Sequence, residues 1–280
     1  MMGEQEKALI VSFVGAGQMG EALLGGGLDS GSMKSDCVYL SDVRKDRLRE
    51  LKDKYQTRIA KDNISAAKIA DLIILAVKPQ NIDGVLDEIA DYVDGKKIIV
   101  SIVAGISINR ILQKLYKDPQ VFRVMPNNPA LLRAGISVIS ASGDVSDANL
   151  DFVSNIFSEI GEVLIIDESY QNLATALCGS GPAYFYLVVK LLIEAGVELG
   201  LENEIAEKLV NQTIFGAAKM VKEAGKSPEE LIKMVASPGG TTEAALEIFE
   251  KYNFKKGITA AVGSAVNRAI ELGGGEFGQC

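Results

Sequence analysis

The sequence comprises 280 residues, 48% of them hydrophobic, and this length allows a substantial buried core and two domains. Its formal net charge of -8 argues against an extended surface for nucleic acid or anionic lipid, because either ligand requires clustered Lys and Arg. The absence of histidine excludes a Ser/His/Asp triad, and the three cysteines, Cys37, Cys178 and Cys280, are spaced neither as a zinc site nor as a disulfide framework. We therefore expect a soluble cytoplasmic protein that binds a small molecule, with no metal site and no nucleic-acid or membrane partner.

The first half of the chain alternates short apolar runs with amphipathic stretches, from Ala8 to about Asp167. This pattern predicts βα units that feed a mostly parallel sheet. The predicted strands are 8–14, 37–42, 57–60, 71–77, 97–103, 120–125, 136–140 and 162–167. Ser107 and Ser146 each precede a helical pattern and offer a side-chain oxygen to a first-turn N–H group. We expect a doubly wound α/β domain over residues 1–166.

The first predicted strand runs directly into a glycine loop and then into a helix. The loop consists of Gly15, Ala16, Gly17, Gln18, Met19 and Gly20. Gly15 suits a tight turn, Gly17 lets a pyrophosphate approach the backbone, and Gly20 permits close packing of helix on strand. The free N–H groups and the dipole of the helix N-terminus favour an anion there. In this βαβ context the motif predicts a Rossmann-type dinucleotide-binding domain.

The second predicted strand ends at Ser41 and Asp42, where the adenosine ribose of a bound dinucleotide is expected. Asp42 could accept a hydrogen bond from the ribose 2′-hydroxyl of NAD and would repel the 2′-phosphate of NADP. Arg44, Lys45 and Arg47 follow at once and could neutralise that phosphate, or they could simply form a solvated helix start. The sequence leaves NADP and NAD open with a slight preference for NADPH. If Asp42 lies at the ribose, its removal should improve the use of NADPH relative to NADH.

Three further strand ends are predicted to face the cofactor, because ligands bind open α/β sheets beyond the carboxyl ends of the strands. The residues at these ends are Val77, Lys78, Pro79, Ala104, Gly105 and Asn127. Gly105 would let the backbone approach a nicotinamide ring, and two prolines would hold Asn127 in a rigid turn. Each residue taken singly fits a structural loop equally well, but three such endings on neighbouring strands indicate a site.

The second half of the chain changes to long apolar helical segments, with no further strand pattern. The predicted helices are 168–178, 182–199, 203–224, 228–235, 241–251 and 254–272. We therefore expect an all-α domain over residues 167–280. Its helices expose more apolar surface than one chain can easily cover, which favours dimerisation through this domain over packing within the chain alone.

Two helix starts in this domain could bind a substrate carboxylate through backbone N–H groups, although both also fit ordinary helix entry. One is the segment 179–184, Gly-Ser-Gly-Pro-Ala-Tyr. The other contains Ser237, Gly239, Gly240, Thr241 and Thr242. The second start adds two threonine hydroxyls, so an anion could be held there without Arg or His.

These motifs, in this order and at these separations, resemble the pyrroline-5-carboxylate reductase family from end to end. They are the glycine loop, VKPQ, SIVAGISI, MPNNPALLRAG, GSGPAYFY and ASPGGTTEAAL, of which the last is the most diagnostic. One departure is Asn128, where the family often has Thr. The resemblance implies an N-terminal Rossmann domain, a C-terminal helical domain that interlocks with a second subunit, and a substrate site between the cofactor and residues 237–242. It also implies that dimers can assemble into larger rings.

The resemblance further implies hydride transfer from NADPH or NADH to the C=N carbon of 1-pyrroline-5-carboxylate, which gives L-proline in the last step of proline biosynthesis. The backbone of residues 237–242 would hold the substrate carboxylate, and Thr242 would hydrogen-bond the ring nitrogen as the catalytic residue. An imine that arrives protonated needs no enzyme acid, which suits a chain without histidine. A neutral imine would need a proton through Thr242 or water.

Two alternatives remain at this point. A β-hydroxy-acid reductase of the same architecture would want a lysine base in the helical domain, and Lys190 is the only lysine on the helix predicted over 182–199. A dinucleotide-sensing protein could retain the Rossmann domain and lack catalysis. Oxidation of the cofactor on addition of pyrroline-5-carboxylate separates all three functions.

Overall fold

The computed structural model describes residues 9–143 and 145–274. Ala8, where the first strand was predicted to begin, and Cys280 lie outside the described residues. The contacts divide the chain into two compact units: one runs up to Ser180 and resumes at Ala265, and the other is Gly181–Ser264. This division differs from the predicted boundary after residue 166, since residues 167–180 and the end of the chain pack with the first unit.

An eight-stranded sheet forms the centre of the first unit. Its strands are β1 (Val11–Val14), β2 (Val38–Ser41), β3 (Arg58–Ile59), β4 (Leu72–Leu75), β5 (Ile98–Ser101), β6 (Gln120–Met125), β7 (Gly135–Ala141) and β8 (Gly161–Ile165). The order is β3-β2-β1-β4-β5-β6-β7-β8, and all neighbouring strands are parallel except β6 and β7, which are antiparallel. The predicted strands and the mostly parallel sheet are confirmed.

The strand order reverses between β1 and β4. Val14, the last residue of β1, lies opposite Ser41 of β2 on one side and opposite Leu75 of β4 on the other. Three parallel strands therefore end at the same level of the sheet. A crevice at such a reversal is where open α/β sheets bind their ligands.

Helices cover both faces of this sheet. They are α1 (Gln18–Asp29), α2 (Lys45–Tyr55), α3 (Asn63–Ile69), α4 (Ile82–Ile89), α5 (Ile108–Leu115) and α6 (Asp147–Ser158). Alternate residues of a strand point to opposite faces, so β4 contributes Leu72 and Ile74 to one hydrophobic cluster and Ile73 and Leu75 to the other. The predicted cap at Ser107 is present, because its side chain accepts a hydrogen bond from the N–H of Arg110 at 3.1 Å.

The segment after β8 packs on the sheet before the helical unit begins. It contains the short helix α7 (Gln171–Ala174) and a π-helical turn, Thr175–Gly179. The Gln171 side chain is fully buried, and its amide donates to the carbonyl groups of Arg123 and Val138 at 3.2 and 3.1 Å. These contacts explain why this segment belongs to the first unit.

The second unit is helical. Its helices are α8 (Gly181–Glu198), α9 (Asn203–Glu223), α10 (Pro228–Val235), α11 (Thr241–Lys251) and the first part of α12 (Phe254–Leu272). The start predicted at α10 is confirmed as a capping box, in which Ser227 and Glu230 satisfy each other's backbone N–H groups. Among residues 181–264, only Gly181 and Ala206 are buried.

The C-terminal end of α12 returns to the first unit. Arg110 on α5 donates to the carbonyl group of Gly273 at 2.6 Å and pairs with Asp83 on α4, also at 2.6 Å. This bond joins residues 163 positions apart along the chain.

Candidate functional site

The three glycines of the glycine loop differ in what surrounds them. Gly15 has a φ of +101°, and a Cβ there would lie 2.5 Å from the carbonyl oxygen of Ala76. A Cβ at Gly20 would lie 3.2 Å from the carbonyl oxygen of Gly15. No described atom lies within 4 Å of a Cβ built at Gly17. Gly15 is thus required by the fold itself and Gly20 leaves little room for a side chain, whereas the space beside Gly17 is open to a ligand.

The first turn of α1 adds donors to this open space. Gly17 is the N-cap and has no side chain to satisfy the N–H groups that follow. Gln18 and Met19, the first two residues of the helix, make no backbone N–H bond to any other described residue. Helix N-termini with free N–H groups bind anions such as phosphates. The geometry therefore suits a pyrophosphate.

Asp42, just after β2, is engaged by the loop and by its neighbour. Its Oδ2 accepts a hydrogen bond from the N–H of Ala16 at 2.7 Å, and its Oδ1 accepts from the N–H of Arg44 at 2.8 Å. Burial would raise the pKa of the Asp42 carboxyl, but the hydrogen bonds from Arg44 and Ala16 outweigh burial and hold that pKa below its usual range. The carboxylate is thus charged and already bonded within the chain, and its contact with a ribose stays a prediction.

The basic residues after Asp42 differ in availability. The Arg44 side chain is 54% exposed, and Lys45 is also exposed. The Arg47 side chain is only 15% exposed; it pairs with Glu21 and, at 2.7 Å, with Glu50. Arg44 and Lys45 could therefore meet a phosphate group, whereas Arg47 is occupied within the protein.

Ser41 was predicted to meet the cofactor, but its hydroxyl lies against α3. The residue is only 5% exposed, and its Oγ donates to Oδ1 of Asn63 at 2.7 Å. The amide of Asn63 donates in turn to Glu88 at 2.8 Å. Asn63 was not among the predicted site residues, because its only signal in the sequence is its place at the start of α3, the helix after the short edge strand β3.

The residues after β4 lie beside the glycine loop, because β4 is the neighbour of β1. Val77 is half-buried, and Pro79 opens the short 3₁₀ turn Pro79–Asn81. Lys78 is exposed, and its ammonium group makes no hydrogen bond or ion pair with another described residue. Lys78 is therefore a cation at the carboxyl edge of the sheet that is available to a ligand.

Gly105 and Asn127 are held by contacts within the chain. Gly105 has a φ of +81°, and a Cβ there would lie 2.5 Å from the carbonyl oxygen of Ala269 on α12. Asn127 is 9% exposed, and its Oδ1 accepts from the N–H of Ile136 at 2.9 Å. Glycine is thus required at 105 by the approach of α12, whether or not a nicotinamide lies nearby. Contacts of Gly105, Asn127 and the half-buried Ala104 with cofactor stay predictions.

A charged network that no sequence motif indicated surrounds the buried side chain of Arg123. Arg123 on β6 is 4% exposed; it pairs with Glu168 at 3.2 Å and donates to Asn172 at 2.6 Å. Glu168 also accepts from the N–H of Ile108, the first residue of α5, at 2.7 Å. Burial lowers the pKa of the Arg123 guanidinium, against the opposing effect of Glu168. The network joins β6, α5 and the segment before α7.

The predicted substrate-binding segment lies in the second unit, at the start of α11. The N–H of Gly240 donates to the carbonyl of Ser237 at 2.9 Å, and the N–H of Gly239 donates to Oε2 of Glu243 at 2.7 Å. Gly239 has a φ of +69°. Thr241 is exposed and Thr242 is half-buried. These bonds fix the turn. They also show that the start of α11 can bind a carboxylate, which here is that of the Glu243 side chain.

Comparisons with known proteins cover nearly the whole chain. The family model for pyrroline-5-carboxylate reductase dimerisation matches residues 168–272, and the model for the coenzyme F420-dependent NADP oxidoreductase domain matches residues 10–105. A pyrroline-5-carboxylate reductase from Corynebacterium melassecola is 39% identical over 266 residues, which are 94% of this chain and 98% of the relative. One from Synechocystis sp. is 36% identical over 263 residues, with the same two coverages. The chain belongs to the pyrroline-5-carboxylate reductase family.

Solved structures agree with this membership. The pyrroline carboxylate reductase of Plasmodium falciparum with NADP bound has a TM-score of 0.86 and 32% identity, over 95% of this chain and 98% of that one. The pyrroline-5-carboxylate reductase of Coxiella burnetii also has a TM-score of 0.86, with 33% identity, over 97% of this chain and all of that one. The resemblance stated from the motifs is thereby confirmed.

Family membership also bears on the residues outside the glycine loop. Asn128, where the family often has Thr, is exposed, so the departure does not disturb the core. Lys190, the base required by the β-hydroxy-acid alternative, is 67% exposed and lies 3.5 Å from Glu194, one turn along α8. Among the described residues, no group of three or more His, Cys, Asp or Glu side chains could hold a metal ion.

Proposed function

We propose that this protein is a pyrroline-5-carboxylate reductase that converts 1-pyrroline-5-carboxylate to L-proline, the last step of proline biosynthesis. The observation that carries the proposal is the match to reductases of this family over 94% of the chain, including the dimerisation region. The open space at Gly17 and the free N–H groups of α1 suit the dinucleotide that such a reaction requires.

The bound nicotinamide would supply a hydride to the C=N carbon of the pyrroline ring. The protein's part is to orient the substrate, hold its carboxylate and exclude water. In this proposal the N–H groups of the segment Ser237 to Thr242 that are not already bonded within the turn hold the carboxylate, and the Thr242 hydroxyl hydrogen-bonds the ring nitrogen. In this proposal the substrate binds as the protonated iminium, which requires no acid from the enzyme and suits a chain without histidine.

NADPH is the preferred cofactor in this proposal. Arg44 and Lys45 are exposed at the carboxyl end of β2, where the 2′-phosphate of NADP would lie. The nearby negative charge of Asp42 is compensated by the Arg44 guanidinium, with the Nε 3.2 Å from Oδ1. The net repulsion of a 2′-phosphate is therefore small, and a bidentate contact with Arg44 would be favourable.

The protein forms a homodimer through its helical unit, as the dimerisation model over residues 168–272 supports. Large apolar side chains on these helices are exposed in the single chain, including Leu187, Leu209 and Phe215. The helical stretch Glu168–Glu198 is long and apolar enough to cross a membrane by length and composition. In our proposal a second subunit covers this surface, the enzyme acts in the cytoplasm, and dimers assemble into larger rings.

The experiment is a direct assay. Purified protein is mixed with NADPH or NADH, and the absorbance of the reduced nicotinamide is followed on addition of pyrroline-5-carboxylate, with proline measured as product. We expect substrate-dependent oxidation and an equal amount of proline. Dinucleotide binding without oxidation would instead favour the dinucleotide-sensing function, and oxidation only with a keto acid would favour the β-hydroxy-acid reductase.

A further inference from the structure

The acceptor sites of the Asp42 carboxylate are already used. Its Oδ2 accepts from the N–H of Ala16 at 2.7 Å and from Nη2 of Arg44 at 3.3 Å. Its Oδ1 accepts from the N–H and the Nε of Arg44 at 2.8 and 3.2 Å. A carboxylate offers about four lone-pair sites. A ribose hydroxyl could therefore bond to Asp42 only by displacing one of these donors.

The carbonyl oxygen of Ala16, the residue whose N–H binds Asp42, is held by two arginines. It accepts from Nε of Arg47 at 3.1 Å and from Nη2 of Arg44 at 3.4 Å. Because the peptide bonds of the described residues are trans, the N–H of Gly17 points to the opposite side from this carbonyl. The two arginines thus direct the Gly17 N–H away from themselves, and the space around Gly17 is the open part of the loop.

We infer that Asp42 is a positioning residue: it holds the Ala16 N–H of the glycine loop in place and orients the Arg44 side chain. It does not select NADH by binding the ribose. Asp42 would then favour the binding of both dinucleotides, through the pyrophosphate donors, and of NADPH more strongly, through Arg44. This inference rests on the proposed use of a dinucleotide. It reverses the expectation that removal of Asp42 improves the use of NADPH relative to NADH.

Arg44 and Arg47 have separate tasks in this arrangement. Arg47 is 15% exposed, and its three guanidinium nitrogens bind the Ala16 carbonyl, Glu21 and Glu50, so its charge is compensated within the chain. Arg44 is 54% exposed and keeps a free side of its guanidinium for a ligand. The 2′-phosphate is therefore read by Arg44, whose direction is set by the two oxygens of Asp42.

The test uses the full-length protein, four single variants (Asp42→Asn, Asp42→Glu, Arg44→Gln and, as a control, Arg49→Gln) and the double variant that combines Asp42→Asn with Arg44→Gln. Arg49 is exposed on the same helix as Arg47, so its substitution removes one positive charge without touching the loop. The dissociation constants of NADPH, NADH, 5′-ADP and 2′,5′-ADP are measured by calorimetric titration, together with the melting temperature and the KM for pyrroline-5-carboxylate. The four ligands separate the effect at the pyrophosphate from the effect at the 2′-phosphate.

We expect Asp42→Asn to weaken the binding of NADH about tenfold, because a charge-assisted contact that positions the pyrophosphate donors is lost. The binding of NADPH should weaken more, because the contact that orients Arg44 toward the 2′-phosphate is lost as well. Arg44→Gln should weaken NADPH and 2′,5′-ADP and leave NADH within about twofold of wild type. Arg49→Gln should change none of them beyond about twofold, and the KM for pyrroline-5-carboxylate should stay near wild type in all folded variants. In the double variant, the losses at 2′,5′-ADP should not add, because Arg44 already depends on Asp42.

The opposite result overturns the inference: a rise in NADPH affinity relative to NADH in Asp42→Asn would make Asp42 a ribose ligand. Unchanged affinities in a less stable Asp42→Asn would make it a purely structural residue. If Asp42→Asn does not fold, Asp42→Glu serves as the test, since it keeps the charge and shifts the carboxylate by one methylene. Its affinities for NADPH and NADH are then compared with those of the wild type in the same way. Tight dinucleotide binding without turnover of pyrroline-5-carboxylate in the wild type would refute the proposed function and leave this inference standing.

Discussion

The two units of this protein are completed in different ways. The sheet unit buries its apolar side chains in two clusters and binds several of its charged side chains within the chain, as at Asp42, Arg47 and Arg123. In the helical unit, only Gly181 and Ala206 are buried among residues 181–264. The first unit therefore has its own core within one chain, whereas we expect the second to obtain most of its hydrophobic stabilisation from another subunit.

The largest expected effect tests this difference directly. Phe215 on α9 is 66% exposed in the single chain, and we expect it to be buried in the dimer. Phe215→Asp should dissociate or unfold the helical unit and abolish activity, because an isologous interface carries the change twice and each buried Phe contributes about 1.5–3 kcal/mol. Light scattering after gel filtration measures the mass. Gln113→Glu adds the same charge to an exposed polar position of α5, in the sheet unit, and should remain dimeric.

A second prediction concerns Thr242, the catalytic residue of the proposed mechanism. Thr242→Ala should lower kcat/KM for pyrroline-5-carboxylate by roughly tenfold to a hundredfold, about 1–3 kcal/mol, because its bond to the ring nitrogen strengthens in the transition state. Cofactor affinity should hardly change. Thr259→Ala, which removes a hydroxyl that only bonds to Lys255 within α12, should leave kinetics intact. A fall in melting temperature without a kinetic loss would reduce Thr242 to a helix residue.

Two glycines of one loop provide a third comparison, within the sheet unit. Gly17→Val should weaken dinucleotide binding about tenfold or more while the melting temperature changes little, because only ligand space is lost there. Gly15→Ala should lower the melting temperature, because its Cβ would lie 2.5 Å from the Ala76 carbonyl at a φ of +101°. Cofactor titration and thermal unfolding on both proteins check the contrast. Unchanged binding in a folded Gly17→Val would remove this loop from the cofactor site.

The smallest expected effect is the loss of thermal stability at acid pH. The pKa of Asp42 is lowered in the folded protein, so its ionised form contributes stability above the unfolded pKa of about 4 and loses that contribution as the pH falls through the folded pKa. Glu21 behaves in the same way: burial raises the pKa of its carboxyl, but the contacts with Lys54 and Arg47 outweigh burial and lower that pKa. The melting temperature of the wild type should fall as the pH decreases below about 4. Asp42→Asn should show a shallower decrease, and an identical pH curve for both proteins would contradict the assignment.

The sequence predicted the framework well because its signals are local. Strands, helix starts and the glycine loop depend on residues within a few positions of one another, and they were confirmed, as at Ser227 and Glu230. The roles of Asp42 and Gly105 were beyond such signals. The carboxylate of Asp42 bonds to a backbone group 26 residues away, and the space at Gly105 is limited by Ala269 near the far end of the chain.

Residue type alone therefore indicated which side chains belong near the site but could not assign their partners. Arg47 illustrates the limit, since it lies among the basic residues expected to meet a phosphate, yet its guanidinium is bound to Glu21 and Glu50. Ser41 likewise lies at the expected strand end but bonds to Asn63. The pairing of Arg47 with Glu21 and of Ser41 with Asn63 is determined by contacts between segments that lie apart in the sequence.

The return of α12 to the first unit affects how the protein is made. The bond from Arg110 to Gly273 spans 163 positions, so the sheet unit receives this contact only after residues 181–264 have been synthesised. Residues 181–264 are thus an insertion within the sheet unit rather than an appended domain. A nascent chain that ends near Ser180 still lacks the cover over Gly105. Completion of the sheet unit is therefore coupled to the synthesis of α12.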